Sequence, residues 1–367
     1  MARVPLALPD FPWDSLVPFA DTARSHPDGI LDLSVGSPVD DTPAVIRDAL
    51  AHATDAHSYP STAGTPALRE AIVTWFADRR GVDDLSVANV LPTIGSKEFI
   101  ALLPGFLGIG PGDVVVHPSI AYPTYAISAA LAGATALASD EPAEWPESTR
   151  LVWVNSPANP HGAIASIDFL RAAVSRAREL GAIVVSDECY AEFVWDGTGP
   201  AVSILDPRVI NGERNSVLAV YSLSKQSNLA GYRAGFVAGC SDLIAEILEV
   251  RKHAGLIPPA PVQSAMVAAL ADSEHVAVQV ARYANRRAVL LPALEASGYR
   301  VDHSEGGLYL WVTREEDCWA SVASFANLGI LVAPGSFYGA SQHVRVALTA
   351  TDEAIASAAA RLGESSN

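Results

Sequence analysis

Apolar positions along the chain follow two alternating rhythms. Val114-Val115-Val116, Leu151-Val152-Trp153-Val154, Ala182-Ile183-Val184-Val185 and Val217-Leu218-Ala219-Val220 are short continuous apolar runs, with the length and β-branched content of strands buried on both faces. Between such runs, apolar residues recur three and four apart, as in Leu68, Ile72, Trp75 and Phe76, or Ile167, Leu170 and Val174. That is the period of a helix with one covered face. Thr65 with Pro66 opens the first of these helices and Gly81 closes it; Ser166 and Gly181 bracket the second. The short strand Asn89-Val90-Leu91-Pro92 leads to Gly95-Ser96-Lys97-Glu98, which opens an apolar helix, and a helix of small residues runs to about Ala132. Repeated strand, loop and helix units with near-continuous apolar strands predict a mostly parallel sheet covered by helices.

Beyond Phe236-Val237-Ala238-Gly239 the pattern changes. Helical segments occupy much of 242–297. Then Gly307-Leu308-Tyr309-Leu310-Trp311-Val312, Ile330-Leu331-Val332-Ala333 and His343-Val344-Arg345-Val346-Ala347-Leu348 predict short strands separated by helices. An early strand, Leu31-Asp32-Leu33-Ser34-Val35, ends at Gly36-Ser37-Pro38, where a glycine permits close backbone approach. The chain is therefore expected to be α/β: a large domain over residues 41–282 and a smaller α+β domain from 1–40 and 283–367, with residues 363–367 as a frayed tail. Gly108-Ile109-Gly110-Pro111-Gly112 is a turn, because Asp113 stands where a GxGxxG needs glycine and a strand follows.

Composition narrows the function. A chain of 367 residues, half of it apolar, has room for two cored domains, and its formal charge of 24 − 41 = −17 repels phosphate backbones and anionic membranes. Nucleic acid and membranes are thus poor partners. Acids at Asp10 and Asp14 come too early for a secretory signal, so a cytoplasmic location is expected. Cys189, Cys240 and Cys318 form no CxxC and the nine histidines no HExxH, so no disulfide framework or metal site is indicated.

The candidate chemistry lies at strand ends. Tyr122, Asn159, Asp187 and Lys225 each fall at or just after the close of a predicted strand, where parallel sheets bind their ligands. Lysine occurs only at 97, 225 and 252, and Lys225 follows a buried run, which suggests chemistry that needs an amine able to lose its proton. Given an imine at Lys225, Asp187 would keep a ring nitrogen protonated, Tyr190 and Asn159 would donate to a phenolic oxygen, and Tyr122 would stack on the ring. Ser222, Ser224, Arg233 and the helix start at Gly95, Ser96 and Lys97 would neutralise a phosphate. These are the requirements of pyridoxal 5'-phosphate.

The motifs Asn159-Pro160-His161-Gly162, Asp187-Glu188-Cys189-Tyr190, Ser222-Leu223-Ser224-Lys225 with Gly231-Tyr232-Arg233-Ala234-Gly235, and Arg345 resemble, in this order, the fold-type I class I/II aminotransferases. The resemblance covers nearly the whole chain. It implies that Lys225 is the Schiff-base lysine and the general base and acid of a ping-pong transamination using glutamate and 2-oxoglutarate. It further implies that Arg345, helped by the backbone at Gly36, binds the substrate α-carboxylate. Tyr59 would reach the phosphate of a neighbouring subunit, hence a homodimer with shared sites. His161 stands where Thr or Ser is commoner. Longer stretches around Phe11–Asp14, 33–40, 222–235, 251–255 and 343–352 resemble bacterial N-succinyl-LL-diaminopimelate aminotransferases of lysine and peptidoglycan precursor synthesis. Arg251, Lys252 and His253 would then supply charge to a succinyl group, or form a solvated helix face.

Rival readings are a lyase of the same fold, an aminotransferase for aromatic, branched or aspartate-type substrates, and a serine hydrolase with S-x-x-K at Ser222 to Lys225. The last lacks a K-T-G, and Ser186-Asp187-Glu188 misses S-D-N. A regulator on the same fold would need an added DNA-binding domain, for which the chain has neither length nor charge.

Overall fold

The structure is a computed structural model that describes Leu8 and residues 12–364. Seven strands form its main sheet, in the order Val90–Ile94, Ala234–Gly239, Val217–Ser222, Ile183–Asp187, Thr149–Asn155, Val114–His117 and Thr135–Ala138. All neighbours pair in parallel except Ala234–Gly239, which is antiparallel to both of its neighbours. The reversal follows from the 223–233 connection, which is too short for the crossover of a dozen or more residues that a parallel neighbour needs.

Burial on both faces appears within single strands. Val217, Ala219 and Tyr221 join a cluster with Trp75, Phe76 and Phe236, while Leu218 and Val220 join Phe99, Leu103, Tyr125 and Trp153 on the other side. The covering helices begin and end where capping chemistry puts them. The Thr65 hydroxyl accepts from Leu68 N at 3.2 Å at the head of Pro66–Arg80, and Gly81 closes it at φ +64°. Ser166 accepts from Phe169 N at 3.1 Å at the head of Ile167–Glu179. Each such cap contributes about 1 kcal/mol.

A second sheet, in the order Ala333–Pro334, Val344–Ala347, Tyr309–Thr313 and Arg300–Val301, is wholly antiparallel. It has its own core, with Leu308, Leu310, Val312, Phe325 and Val346. The long helix Glu274–Ala296 runs past residue 282, and its buried Arg286 holds Asp40 at 2.6 Å and Asp352 at 2.6 Å.

Three expectations change. Thr135–Ala138 is an edge strand that the small residues Thr-Ala-Leu-Ala conceal, since most of it is exposed and no long apolar run is required there. Of the early strand only Leu31–Asp32 pairs, in parallel with Ile330–Leu331. The Asp32 carboxylate then accepts from Ser34 N at 2.9 Å and turns the chain away. Gly363 and Glu364 belong to the helix Asp352–Glu364 rather than to a frayed tail. The rest of that tail, and Phe11 at the head of its motif, lie outside the described residues.

Candidate active site

Register sets the site. Asn155 pairs with Asp187, Asp187 with Val220, and Ser222 with Gly235, so the loops that follow these strands leave the sheet side by side. Asp187 is 5% exposed, and its carboxylate accepts from the Tyr125 hydroxyl at 2.9 Å and from Cys189 N at 3.2 Å. Both partners are neutral, and burial pushes the Asp187 carboxyl above its ordinary range against their pull. Asn155 fixes the next loop: its amide donates to the Asp187 carbonyl at 2.9 Å, and its carbonyl accepts from Asn159 N at 2.7 Å. Two cis peptide bonds, Ser156-Pro157 and Asn159-Pro160, shape that loop. Asn159 accepts, through its side-chain oxygen, from Arg345 at 2.9 Å.

Lys225 lies in the short helical turn Leu223–Gln226, headed by Ser222, whose hydroxyl accepts from Ser224 N at 3.2 Å. Its ammonium donates to the Gly36 carbonyl. Burial lowers its pKa, which favours the neutral, nucleophilic amine. Tyr190 is buried and shares a hydrogen bond of 3.1 Å with the Tyr309 hydroxyl. At Gly36 an added Cβ would come within 1.9 Å of that same hydroxyl, so only glycine fits.

Ser222 donates to Ser224 at 2.8 Å, and Arg233, at φ 54°, brings its guanidinium against Gly95. A Cβ at Gly95 would lie 2.4 Å from Arg233 Nη2. With φ at +72° as well, glycine is favoured where the Gly95–Phe106 helix begins, and the first N–H groups of that helix have no partner within it. Ser96 reaches the Cys189 thiol, whereas Lys97 is exposed and sets its ammonium 5.9 Å from the Tyr122 ring centroid.

Arg345 completes the group. It is 3% exposed, donates to the Ser34 carbonyl at 2.7 Å, and packs its guanidinium on the rings of Tyr309 and Tyr338, at 4.0 and 4.8 Å from their centroids. Its Nε has no hydrogen-bond partner. Of the candidates, only Tyr59 stands apart: it is 99% exposed, beside a groove lined by His57, Ser58, Pro60 and Pro259.

A buried carboxylate without a cation, a low-pKa amine, two glycine cradles and an arginine beside a helix start suit pyridoxal phosphate: a cationic ring nitrogen for Asp187, an aldehyde for Lys225, an anion for Arg233. Residues 28–362 match the family model for aminotransferase class I and II. The chain belongs to that family. It is a pyridoxal phosphate-dependent class I aminotransferase with the fold of type I enzymes.

It is 56% identical to 4-dedimethylamino-4-oxo-anhydrotetracycline transaminase OxyQ of Streptomyces rimosus, over 97% of this chain and 99% of that one. It is 54% identical to the probable aminotransferase Rv1178 of Mycobacterium tuberculosis, over 98% and 86%. It is 33% identical to an LL-diaminopimelate aminotransferase of Dehalococcoides mccartyi, over 92% of each. A solved aminotransferase from Neisseria meningitidis superposes with a TM-score of 0.86 at 30% identity, over 97% of each chain.

Sequence reasoning missed Tyr125, Asn155, Tyr309 and Tyr338. Tyr125 carried a signal, three residues past Tyr122 on the helix that follows a strand end; the others reach the site from positions whose local patterns mark only strand and loop. Arg251 is a correction. It is wholly buried, bonded to Glu98 at 2.8 Å and to the Leu256 carbonyl, and so is closed to a succinyl group. Lys252 and His253 are exposed.

Proposed function

We propose that this aminotransferase acts on N-succinyl-LL-diaminopimelate, exchanging its amino group with 2-oxoglutarate. The observation that carries amino-acid chemistry is that Lys225 and Arg345 converge on one short segment, Lys225 on the Gly36 carbonyl and Arg345 on that of Ser34. A carboxylate held by the guanidinium would bring its α-carbon toward the amine. Whole-length similarity to enzymes named for LL-diaminopimelate favours a diaminopimelate skeleton. A second reading, amination of a bulky ring ketone, is favoured by the 56% identity to OxyQ.

When bound, pyridoxal phosphate supplies an electron sink for the carbanion at the substrate α-carbon. Asp187 would hold the proton on the ring nitrogen, and Asn159 and Tyr190 would donate to the ring oxygen. Tyr122 would cover the ring, while Gly95, Ser96, Lys97, Ser222, Ser224 and Arg233 would bind the phosphate. Lys225, whose pKa burial lowers, would take the proton from the substrate α-carbon and return it. The domains divide at 40/41 and 282/283, the enzyme works in the cytoplasm, and Tyr59 serves the site of a second copy in a homodimer.

The test supplies purified protein and pyridoxal phosphate with N-succinyl-LL-diaminopimelate and 2-oxoglutarate and measures glutamate. Formation of glutamate is expected, with Lys225→Arg at least about a thousandfold slower. No glutamate, with transfer to a tetracyclic ketone instead, would establish the second reading. Tyr59→Phe should weaken cofactor binding about tenfold, the loss of one hydrogen bond to a charged group, while the protein elutes as a dimer. Unchanged cofactor affinity would remove the shared site.

A further inference from the structure

The Tyr338 hydroxyl has no assigned task. It belongs to the Gly335–Tyr338 turn, is 2% exposed, and has no hydrogen-bond partner. Buried hydroxyls in native proteins are almost always paired, because stripping one of water without replacing the bond is costly. The rest of the residue is firmly placed. Its carbonyl accepts from Ala121 N at 3.0 Å, its ring meets Trp311 edge-on at 6.1 Å, and Arg345 lies 4.8 Å from its centroid. A ring fixed on three sides keeps its hydroxyl where it is.

Arg345 Nε, on the guanidinium over that ring, is the other buried donor without a partner here. Two unpaired donors, one of them cationic, on side chains packed against each other call for an acceptor that is anionic and has more than one lone pair. A carboxylate is such an acceptor. Trp13, Phe337 and Tyr338 belong to one apolar cluster against Trp311, so the enclosure excludes water and strengthens any bond made inside it.

We propose that Tyr338 is a further substrate-binding residue that donates a hydrogen bond to the carboxylate bound by Arg345, in the amino acid and the oxo acid alike. The inference rests on the reading of Arg345 as the carboxylate site. Tyr338→Phe keeps the ring and removes only the hydroxyl. Its KM for glutamate and for 2-oxoglutarate should rise about ten- to a hundredfold, the range for a hydrogen bond to a charged group, with kcat within about twofold. Glutarate, a dicarboxylate with neither amino nor oxo group, should lose affinity by the same factor in calorimetry. The melting temperature should hold or rise, since an unpaired buried hydroxyl has gone.

Arg345→Gln separates the two readings. Raised KM in Arg345→Gln with KM and glutarate affinity unchanged in Tyr338→Phe overturns the role of Tyr338 and leaves the function standing. No change in either variant removes the carboxylate site and this inference with it. A fall in kcat alone in Tyr338→Phe also overturns the proposal. Should that variant fail to fold, Tyr338→Met, a flexible apolar replacement, makes the same comparison.

Discussion

Asp187 and Glu188 are neighbours in the chain, both buried carboxylates, yet they live in opposite electrostatic settings. Glu188 faces Arg80 at 2.9 Å and also accepts from the Ser203 hydroxyl at 3.0 Å and Ile204 N at 2.7 Å. Asp187, on the other side of the backbone, has only a tyrosine hydroxyl and groups of Cys189. Burial pushes both carboxyls up, but at Glu188 an arginine pulls back and at Asp187 no cation does. Arg345 mirrors Asp187 with the sign reversed: a buried guanidinium bound to a carbonyl, an amide oxygen and two ring faces, with no carboxylate among those partners. A buried ion whose counter-charge comes from the protein is part of the fold; one whose counter-charge is missing awaits a ligand.

Between the two carboxylates, the larger expected effect comes from neutralising the unpaired one. Asp187→Asn should lower kcat/KM about a hundred- to a thousandfold, the usual loss when a fixed electrostatic group is removed from a site. Its cofactor-free form should nevertheless be more stable than the parent at pH 7. The folded-state pKa is raised, so the native protein disfavours the ionised carboxylate; that penalty is complete above the raised folded-state pKa, shrinks as pH falls from there toward the ordinary value of 3.8, and is absent below it. Urea titrations of both cofactor-free proteins at pH 7 measure the difference; a less stable variant would mean that the charge is compensated within the chain.

The paired neighbour should answer the other way. Glu188→Gln leaves Arg80 buried without its anion and should cost about 3 kcal/mol of stability by denaturant midpoint. The kcat of the folded fraction should stay within a few fold. Equal catalytic losses at 187 and 188 would erase the distinction between them.

The distinction was half legible in the sequence. Asp187 and Lys225 close apolar runs that had to be central strands, and parallel topology sends the ends of such strands to one edge. The helix bounds at Thr65, Gly81 and Ser166 were legible for a local reason, since a cap is written within four residues. The partners were not. Arg80 meets Glu188 across 108 residues, and Tyr309 meets Tyr190 across 119, contacts that only the packed chain creates. Arg251 sits among charges on its helix yet turns inward to Glu98, because a residue's helix face is fixed by the neighbouring elements and not by its own charge.

His161 offers the finest test, because it is a third kind of titratable group: a half-buried one held in its neutral form. Its Nδ1 accepts from Ala163 N at 3.1 Å, which requires a lone pair, and the ring of His303 lies 5.0 Å away. Burial, and then the nearby His303, lower its pKa to about 4. In the unfolded chain the imidazole takes up a proton near pH 6.5, so between about 6.5 and 4 the unfolded state binds more protons than the native one. Stability therefore falls as pH falls through that window and levels off below it, with about 2 kcal/mol lost to this group at pH 5. His161→Asn keeps an acceptor near Ala163 N and removes the titration. Its denaturant midpoint should shift less than the parent's between pH 7 and pH 5, by that amount, with activity at pH 7 changed by no more than a few fold. Parallel shifts in the two proteins would assign the acid sensitivity to other groups. A group held neutral carries no unpaired charge at pH 7 and needs no counter-ion from a ligand, which is why His161, two residues from Asn159, belongs with Glu188 rather than with Asp187.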